Sequence, residues 1–343
     1  MYPSSPKRIL FIRPSALGDV CRSVPVVVSL KKQWPEATID WLVQSEFVDA
    51  VSAHPAIETI IPFPRKAMKH WYLPAGFFKL MSLLRLLKKK KYDLVIDAQG
   101  LARSGLFTWA TRCATRVGLA SAKEYAWLAY THKVVVQHKH TVDQMLELSE
   151  AAGANSIVDM QLYVNQPDAT WWDAWKETND IEQYAVLAPT SRWQSKQWPQ
   201  ERFLSVAEHI MNLGMKVIIV GAPHEANRIT SLLEHEAVHN VLPEMTIGRM
   251  MAVIASSQFV LANDSAALHI AVGFNRTCVG LFGPTNPAIV GPYKKEDSVI
   301  AADVHYEQVQ YRNRSLGTSI MEQIETQTVI CRIDEILEMG KDS

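Results

Sequence analysis

This chain has few cysteines and no net charge, and each of these properties excludes some classes of protein. The sequence contains four cysteines, Cys21, Cys113, Cys278 and Cys331, and no two of them have the spacing of a metal site. We therefore interpret them as reduced thiols of a cytosolic protein, used mainly for packing. Acidic and basic residues are equal in number, at 35 each. Nucleic-acid binding therefore has no support from net charge.

Long hydrophobic runs are also lacking, and no stretch approaches the length that spans a membrane. The N-terminus has a four-residue apolar stretch before Arg13, which is too short for a signal-peptide core. We therefore expect a cytoplasmic protein, and contact with a membrane surface stays open. The 343 residues contain no low-complexity tract, and this length favours two domains.

Short apolar runs are what the sequence has in place of long ones, and they resemble strands that are buried on both faces. They are residues 8–14, 92–100, 184–189, 216–223, 259–264 and 277–285. Helical patterns lie between them, at residues 24–34, 201–214 and 265–274. Parallel sheets bury both faces of their strands, so this alternation predicts an α/β doubly wound fold.

The alternation of strands and helices occurs twice along the chain. A polar, Trp-rich helical segment, residues 165–183, separates the two series, and we place the domain boundary within residues 167–182. The predicted organisation has an N-terminal domain, a C-terminal domain and a C-terminal helical segment. Their bounds are 1–170, 184–318 and 319–343.

Polar side chains interrupt the chain directly after the apolar run that ends at Ala262. Asn263, Asp264 and Ser265 stand at a strand-to-helix turn, where ligands of open α/β sheets bind. Asp264 or Ser265 can cap the next helix, or the helix N-terminus can attract an anion. Capping is the commoner role of such residues.

Three other loops carry candidate ligand-binding side chains. Thr190, Ser191 and Lys196, with Arg192 among them, suit a phosphate, although an ordinary solvated loop is an equal alternative. Glu225 follows another strand and either accepts hydrogen bonds from ribose hydroxyls or favours a helix start. The third loop has Thr285 and Asn286, which touch a ligand or complete a turn.

The first predicted strand leads into Gly18 and Asp19, which precede a helical pattern. The dinucleotide fingerprint GxGxxG is absent there. Asp19 can act as a general base, or it can cap the helix, which is the commoner role.

Residues 65–91 mix cations with aromatic side chains and leucine. They form an ordinary amphipathic surface helix, or a basic and partly apolar rim for an anionic lipid-linked acceptor. Arg65, Lys66 and Lys69 are the candidate charges of such a rim. His138 and His140 lack further ligands at suitable spacing, so we predict no metal site.

Taken in order, these motifs resemble glycosyltransferase family 9, the lipopolysaccharide heptosyltransferases. The resemblance runs from about Arg8 to Pro292, and residues 34–47 with DAQGL (97–101) look more like heptosyltransferase I than II. Its other markers are SALGDV (15–20), the TSR…K…WP loop (190–199), NDSAALHIA (263–271) and LFGPTNP (281–287). The family commonly has glycine at the position of Ala266, a change that a right-handed helical turn tolerates.

The resemblance implies the GT-B fold, with two Rossmann-like doubly wound domains that face each other across a central cleft. In that fold the C-terminal domain binds the nucleotide sugar and the N-terminal domain binds the acceptor. The last helix usually crosses back to the first domain, and residues 319–340 are the candidate for it.

The resemblance also implies a reaction, the inverting transfer of heptose from ADP-heptose to the Kdo region of lipid A. Asp19 matches the general base, Lys196 a diphosphate ligand, Glu225 a ribose ligand and Asp264 a contact of the donor sugar. The complete donor set is Thr190, Ser191, Lys196, Glu225, Met245, Asp264, Ser265, Ala266, Ala267 and His269. The acceptor set is Gly18, Arg65, Lys66 and Lys69. No metal or cofactor is implied, and the expected location is the cytoplasmic face of the inner membrane.

Other functions remain open from the sequence. A heptosyltransferase II or III, or a protein-modifying relative, would share the donor motifs but use another acceptor. A nucleotide-sugar-binding protein without catalysis is a third candidate, which the presence of both Asp19 and Lys196 argues against. An oxidoreductase is disfavoured because the GxGxxG motif is missing.

Overall fold

The computed structural model describes residues 5–70, 72–236, 238–306 and 314–339. The chain divides into two compact units, Met1–Tyr163 and Val164–Ser343. Each unit contains a parallel sheet of six strands, with helices in the connections. The predicted α/β doubly wound fold is therefore confirmed in both halves.

The first unit alternates strands and helices from its first strand onward. Its strands are β1 (Arg8–Ile12), β2 (Thr38–Gln44), β3 (Thr59–Phe63), β4 (Leu94–Asp97), β5 (Arg116–Leu119) and β6 (His132–Val134). Its helices are α1 (Leu17–Arg22), α2 (Val24–Gln33), α3 (Pro74–Lys90), α4 (Ala102–Ala110) and α5 (Thr141–Ala151). The strand order is β3-β2-β1-β4-β5-β6. Leu10 and Ile12 pack with Leu83 and Leu87 of α3 in one apolar core.

The second unit has the same arrangement. Its strands are β7 (Tyr184–Ala188), β8 (Lys216–Ile219), β9 (His239–Asn240), β10 (Phe259–Asn263), β11 (Thr277–Phe282) and β12 (Val299–Ala301). Its helices are α6 (Gln166–Thr178), α7 (Gln200–Asn212), α8 (Thr230–Leu233), α9 (Ile247–Ala255), α10 (Ala266–Gly273), α11 (Pro287–Val290), α12 (Arg314–Met321) and α13 (Thr326–Met339). The order β12-β11-β10-β7-β8-β9 repeats that of the first sheet when it is read from the other side.

All six predicted strands are confirmed, as β1, β4, β7, β8, β10 and β11, and so are the helices α2, α7 and α10. The helix α7 begins at Gln200, directly after Pro199. Six strands were not predicted. β2 contains the charged residue Asp40 within its apolar run, and β3 contains Pro62 and exposed positions, so neither has the continuous apolar pattern.

The division between the units falls at residues 163–164, earlier than the predicted boundary at 167–182. The reason is that α6 packs in the second unit. The indole N–H of Trp172 donates to the hydroxyl of Tyr184 (2.9 Å) and to that of Ser256 (3.1 Å). The Trp-rich segment is therefore part of the second unit and not a linker.

The predicted C-terminal helical segment is two helices, the end of α12 and α13, with residues 322–325 between them. Val329 and Ile333 of α13 lie in the apolar core of the second unit. Residues 340–343 of that segment lie outside the described residues, and the crossing to the first domain stays a prediction. No helix within the described ranges is long and apolar enough to span a membrane.

Candidate active site

Each sheet has one point where the strand order reverses direction, between β1 and β4 in the first and between β7 and β10 in the second. Loops diverge at the carboxyl ends of such a strand pair and leave room for a ligand. In both units charged side chains occupy this position, and we describe the second unit first.

Lys196 and Asp264 meet at the carboxyl ends of β7 and β10. Lys196 Nζ lies 2.6 Å from Asp264 Oδ2, and the hydroxyl of Thr285 donates to the same oxygen at 2.7 Å. Both of these contacts are made with Oδ2, so Oδ1 is the oxygen that can accept a hydrogen bond from a ligand.

The ionisation of Asp264 follows from these contacts. Burial raises the pKa of its carboxyl, but the charge of Lys196 and the hydrogen bonds from Lys196 and Thr285 outweigh burial. The net effect holds the pKa below its ordinary value. The cluster is thus an ionised carboxylate beside a cation.

Asn263, which the sequence placed in the polar turn but not in the donor set, fixes the position of this cluster. Its amide N–H donates to the carbonyl of Pro189 (2.8 Å), and its amide oxygen accepts from the backbone N–H of Trp198 (3.0 Å). The hydroxyl of Ser191 donates to the carbonyl of Asp264 at 3.2 Å. These bonds tie the loop after β7 to the end of β10. The signal in the sequence is a polar residue that closes a fully buried strand.

Neither Asp264 nor Ser265 caps α10 with its side chain, so the interpretation of this turn as a helix cap is wrong. Ser265 occupies the residue before α10, but its side chain makes no capping hydrogen bond, and its buried hydroxyl has no partner among the described residues. Ala266 and Ala267 begin the helix. Their backbone N–H groups belong to a helix start that no side chain caps, which is a suitable geometry for binding an anion.

His269 also lies on α10 and is buried. Its charge is among the influences that lower the pKa of Asp264. His269 therefore lies close enough to Asp264 for its charge to act on that carboxyl.

Glu225 forms a second polar group of this unit. Its Oε2 accepts from the hydroxyl of Thr190 (2.9 Å) and from the backbone N–H of Ala222 (3.1 Å), and it is buried. Thr190 lies in the loop after β7, next to Ser191, so Glu225 is joined to the Lys196 loop. Met245 is buried directly after a short 3-10 turn at Leu242–Glu244.

Of three further residues in the predicted ligand-binding loops, one contacts Asp264 and two have other contacts. Arg192 is exposed and lies over the ring of Trp193, whereas Thr285 is a direct partner of Asp264. The side chain of Asn286 accepts from the backbone N–H of Ala288 and caps α11. Of the two candidates in that loop, Thr285 belongs to the cluster and Asn286 completes the turn.

In the first unit, Asp19 holds the corresponding position after β1. Its Oδ1 lies 2.5 Å from Arg22 Nη2 and 3.2 Å from Arg13 Nη2. Its Oδ2 accepts from the backbone N–H of Ala16 at 3.0 Å, at the start of α1. Asp19 therefore does cap α1, and it also binds two arginines.

Burial raises the pKa of Asp19, but the charges of Arg13 and Arg22 and the hydrogen bonds hold it well below its usual range. Its side chain remains 28% exposed, so solvent reaches an ionised carboxylate. The sequence analysis did not identify either arginine. Their signal is that Arg13 directly follows β1 and Arg22 lies one helical turn beyond Asp19.

The loop after β4 supports the Asp19 loop. The side-chain oxygen of Gln99 accepts from the backbone N–H of Ser15 (3.1 Å), and Arg13 donates to the carbonyl of Ala98. Asp97 is completely buried and accepts from the hydroxyl of Tyr130 at 2.8 Å. Burial raises the pKa of Asp97 despite these hydrogen bonds. Asp97 therefore has a structural role, unlike Asp19.

Arg65, Lys66 and Lys69 are exposed in the turn that follows β3. Burial and the nearby charge of Arg65 lower the pKa of Arg103, which lies at the start of α4. β1, β3 and β4 are parallel, so these cations and Asp19 lie at the same edge of the sheet. Gly18 is half-buried in α1, directly before Asp19.

Within the described residues, no group of three or more His, Cys, Asp or Glu side chains could hold a metal ion. The two histidines of the HxH motif have separate partners. His138 Nδ1 contacts Glu147 Oε1 at 2.8 Å, and a hydrogen bond with Glu147 raises the pKa of His138. The ring of His140 accepts from the backbone N–H of Val142 and caps α5.

Two successive Rossmann-like units, each with a charged cluster where its strand order reverses, define a glycosyltransferase of the GT-B fold. The chain belongs to glycosyltransferase family 9 (heptosyltransferase), which matches residues 80–318.

A curated relative is lipopolysaccharide heptosyltransferase 1 of Escherichia coli O18:K1:H7. It is 28% identical over an alignment of 309 residues, which covers 86% of this chain and 91% of the relative.

Solved structures agree with this family. The Escherichia coli heptosyltransferase WaaC with ADP-2-deoxy-2-fluoro heptose has a TM-score of 0.75 and 26% identity, over 96% of this chain and 99% of that one. The Escherichia coli ADP-heptose heptosyltransferase II has a TM-score of 0.79 at 19% identity, over 97% of this chain and 99% of that one, and shows the shared fold alone.

Proposed function

We propose that this protein transfers heptose from ADP-heptose to the Kdo region of lipid A in lipopolysaccharide inner-core synthesis. The observation that carries the proposal is the Lys196–Asp264 pair at the carboxyl ends of β7 and β10. An ionised pair of this kind offers a cation to a diphosphate and a carboxylate oxygen to a sugar. The relatives support this choice, because one is named a heptosyltransferase and one structure contains an ADP-heptose analogue.

The donor would be held through four kinds of contact. Lys196, Ser191 and the first N–H groups of α10, at Ala266 and Ala267, bind the diphosphate. Asp264 Oδ1 accepts a hydrogen bond from a hydroxyl of the heptose, and His269 and Ser265 lie beside it. Glu225, aligned by Thr190, accepts from the ribose hydroxyls, and Met245 contacts the nucleoside.

Lys196 then serves in the reaction as well as in binding. Negative charge develops on the diphosphate as the bond to the heptose breaks. A fixed cation and helix N–H groups stabilise that charge. No metal has a role in this proposal.

Asp19 is the proposed general base of an inverting transfer. The acceptor hydroxyl attacks the anomeric carbon, the bond to the ADP oxygen breaks, and the hydroxyl proton passes to Asp19. A carboxylate of lowered pKa is a weak base, so it takes the proton late, when bond formation has made the hydroxyl acidic. Arg13 and Arg22 hold the carboxylate in position.

The acceptor side is assigned to the basic residues at the edge of the first sheet. Kdo carries a carboxylate, and guanidinium and ammonium groups recognise carboxylates. Arg65, Lys66 and Lys69 are the proposed ligands, with Gly18 beside the base and Arg103 as an additional cation. The lipid-linked acceptor places the reaction at the cytoplasmic face of the inner membrane.

A second candidate function keeps the donor and changes the acceptor. Its support is the shared fold with heptosyltransferase II, whose sequence is only moderately more distant from this chain. A heptosylated core would then replace the Kdo region.

The test is incubation of the purified protein with ADP-heptose and either Kdo2-lipid A or a heptosylated acceptor, followed by mass spectrometry. We expect one heptose to be added to Kdo2-lipid A, and no addition by an Asp19→Ala variant. Addition to the heptosylated acceptor alone would favour the second candidate. Binding of ADP-heptose without any transfer would indicate a nucleotide-sugar-binding protein.

A further inference from the structure

The surface around the first half of α3 has an unusual charge and an unusual exposure of apolar side chains. Residues 59–92 contain nine lysines and arginines and no acidic residue, in a chain whose net charge is zero. The same stretch exposes Tyr72, Leu73, Phe77 and Phe78. Tyr72 and Phe78 are 66% and 67% exposed, which is high for large apolar side chains.

The packing of α3 does not account for these side chains. Leu83 and Leu87 are buried in the core of the first unit, and Leu80 and Leu84 pack against it. Phe77 and Phe78 lie outside this set and are exposed. An amphipathic helix needs one apolar face, which packs on the core. α3 also has apolar side chains on a second, exposed face.

The exposed face of α3 continues as a stripe along the helix. Phe78, Ser82, Arg85 and Lys89 are all exposed, and their spacing of four, three and four residues places them on one side. The stripe is apolar where the helix begins and cationic where it ends. We call Tyr72, Leu73, Phe77, Phe78, Arg85 and Lys89 the docking patch.

We propose that the docking patch binds the surface of a membrane that contains anionic phospholipids. Aromatic and leucine side chains enter the headgroup region, and Arg85 and Lys89 contact anionic headgroups. The cations and the apolar residues lie on one side of the helix, two to three turns apart, and this combination fits a lipid surface better than an acidic protein surface.

The position of the patch suits an enzyme with a lipid-linked substrate. α3 begins at the carboxyl edge of the first sheet, because it follows β3, and Asp19 lies at the same edge. A patch that rests on the membrane there would hold this edge near the headgroups. The proposal does not depend on the reaction proposed above, because the lipid surface alone is the ligand.

Sedimentation of the full chain with vesicles tests the proposal without donor or acceptor. The vesicles are phosphatidylcholine alone, or phosphatidylcholine with phosphatidylglycerol. We expect partitioning onto the anionic vesicles, weaker binding to neutral ones, and a loss of binding when salt is raised well above about 0.1 M. No binding to the anionic vesicles would overturn the proposal and leave the proposed reaction untouched.

Two pairs of variants locate the contact. Arg85→Glu with Lys89→Glu should weaken partitioning at least about tenfold, because each surface cation contributes appreciably to the attraction. The matched control, Lys32→Glu with Lys123→Glu, makes the same charge change at exposed residues elsewhere in the unit. An equal loss in both pairs would mean that net charge alone drives binding, which contradicts the proposal.

Leu73→Ser with Phe78→Ser tests the apolar part, and a loss of about tenfold is expected. Its control is Leu128→Ser with Val135→Ser, at positions that are 64% and 70% exposed. Circular dichroism and Tm establish that each variant folds. Unchanged partitioning of a folded Leu73→Ser/Phe78→Ser protein would overturn the assignment of this patch. An acidic protein partner would be indicated if the charge pair mattered and the apolar pair did not.

Discussion

The two units share one strand order but differ in the charges at their central strand ends. In the first unit Asp19 binds two arginines and its side chain is 28% exposed, whereas in the second Asp264 binds one lysine and its side chain is 9% exposed. Asp19 lies in the first turn of α1, which follows β1, whereas Asp264 follows β10, and the second unit places its cation after β7. The same scaffold thus presents an accessible carboxylate in one half and an enclosed ion pair in the other.

A further contrast concerns the strand beside each central one. Asp97 is the last residue of β4, and Asp264 directly follows the last residue of β10, so both lie at the carboxyl end of the strand beside the central one. Burial raises the pKa of Asp97, which has hydrogen bonds but no cation, whereas Lys196 lowers that of Asp264. A cation within bonding distance thus reverses the direction in which burial shifts the pKa of a carboxyl at such a strand end. Only the second unit has such a cation there among the described residues.

The largest expected effect comes from removing the charge of Asp19. Asp19→Asn should lower the rate of transfer by about 10²–10⁴-fold, the range for loss of a general base. Single-turnover assays with saturating donor and acceptor measure the loss. Tm should stay close to that of the wild type, and a folded Asp19→Asn protein with undiminished turnover would remove the proposed base.

Asp264→Asn should weaken the binding of the sugar without weakening the binding of the nucleotide. We expect ADP to bind about as tightly as to the wild type, because Lys196 remains. ADP-heptose should bind about 10- to 100-fold more weakly, since a hydrogen bond to a charged group is lost. Calorimetric titration of both ligands measures the two affinities.

Asp173→Asn is the matched control, because Asp173 is an exposed aspartate of the same unit. An equal loss of affinity for both ligands in Asp264→Asn would mean that Asp264 only positions Lys196.

A smaller effect is expected at Glu225. Glu225→Gln keeps the size of the side chain but weakens its acceptor, so ADP affinity should fall by about three- to tenfold. The affinity for a pyrophosphate without nucleoside should not change. If pyrophosphate binding fell as much as ADP binding, Glu225 would act through Thr190 on the phosphate loop rather than on the ribose.

The smallest expected effect is a pH dependence of stability, which has opposite signs for one aspartate in each unit. The lowered pKa of Asp264 contributes stability above its ordinary value of 3.8, and that stability is lost as the pH falls through the folded-state pKa. The raised pKa of Asp97 contributes stability at low pH that is lost as the pH rises.

The Tm difference between wild type and Asp264→Asn should therefore narrow by a few degrees on acidification. The difference for Asp97→Asn should widen over the same range. Parallel changes in both variants, measured by calorimetry in a series of buffers, would contradict the assigned ionisation states.

The sequence predicted those parts of the fold that a local pattern determines. The strands β1, β7, β8, β10 and β11 are continuous apolar runs, because both faces of a parallel sheet are buried. β2 escaped prediction because Asp40 lies within it, where it is buried against Lys90 (2.9 Å) and Tyr92 (2.6 Å). These partners are about 50 residues away in the chain, so no local pattern reveals them.

The site residues could likewise be predicted only where a local pattern marks them. Lys196, Asp264 and Glu225 were identifiable because each follows a strand and matches a motif. Arg13 and Arg22 were not, and Asn263 was recognised only as part of the polar turn, because the importance of all three lies in contacts that form only when strands come together. At Ser265 the sequence left a helix cap and an anion-binding helix start open, with the cap as the commoner role. The structure shows its hydroxyl without a partner among the described residues.

The central claim is that the ends of β7 and β10 hold the diphosphate of a nucleotide sugar through Lys196. Titration of ADP-heptose into the wild type and into Lys196→Met tests it most directly, with Lys216→Met as a control at an exposed lysine of the same unit. We expect Lys196→Met to weaken binding by about 10- to 100-fold, whereas the control should bind like the wild type. Wild-type affinity in a folded Lys196→Met protein would contradict it.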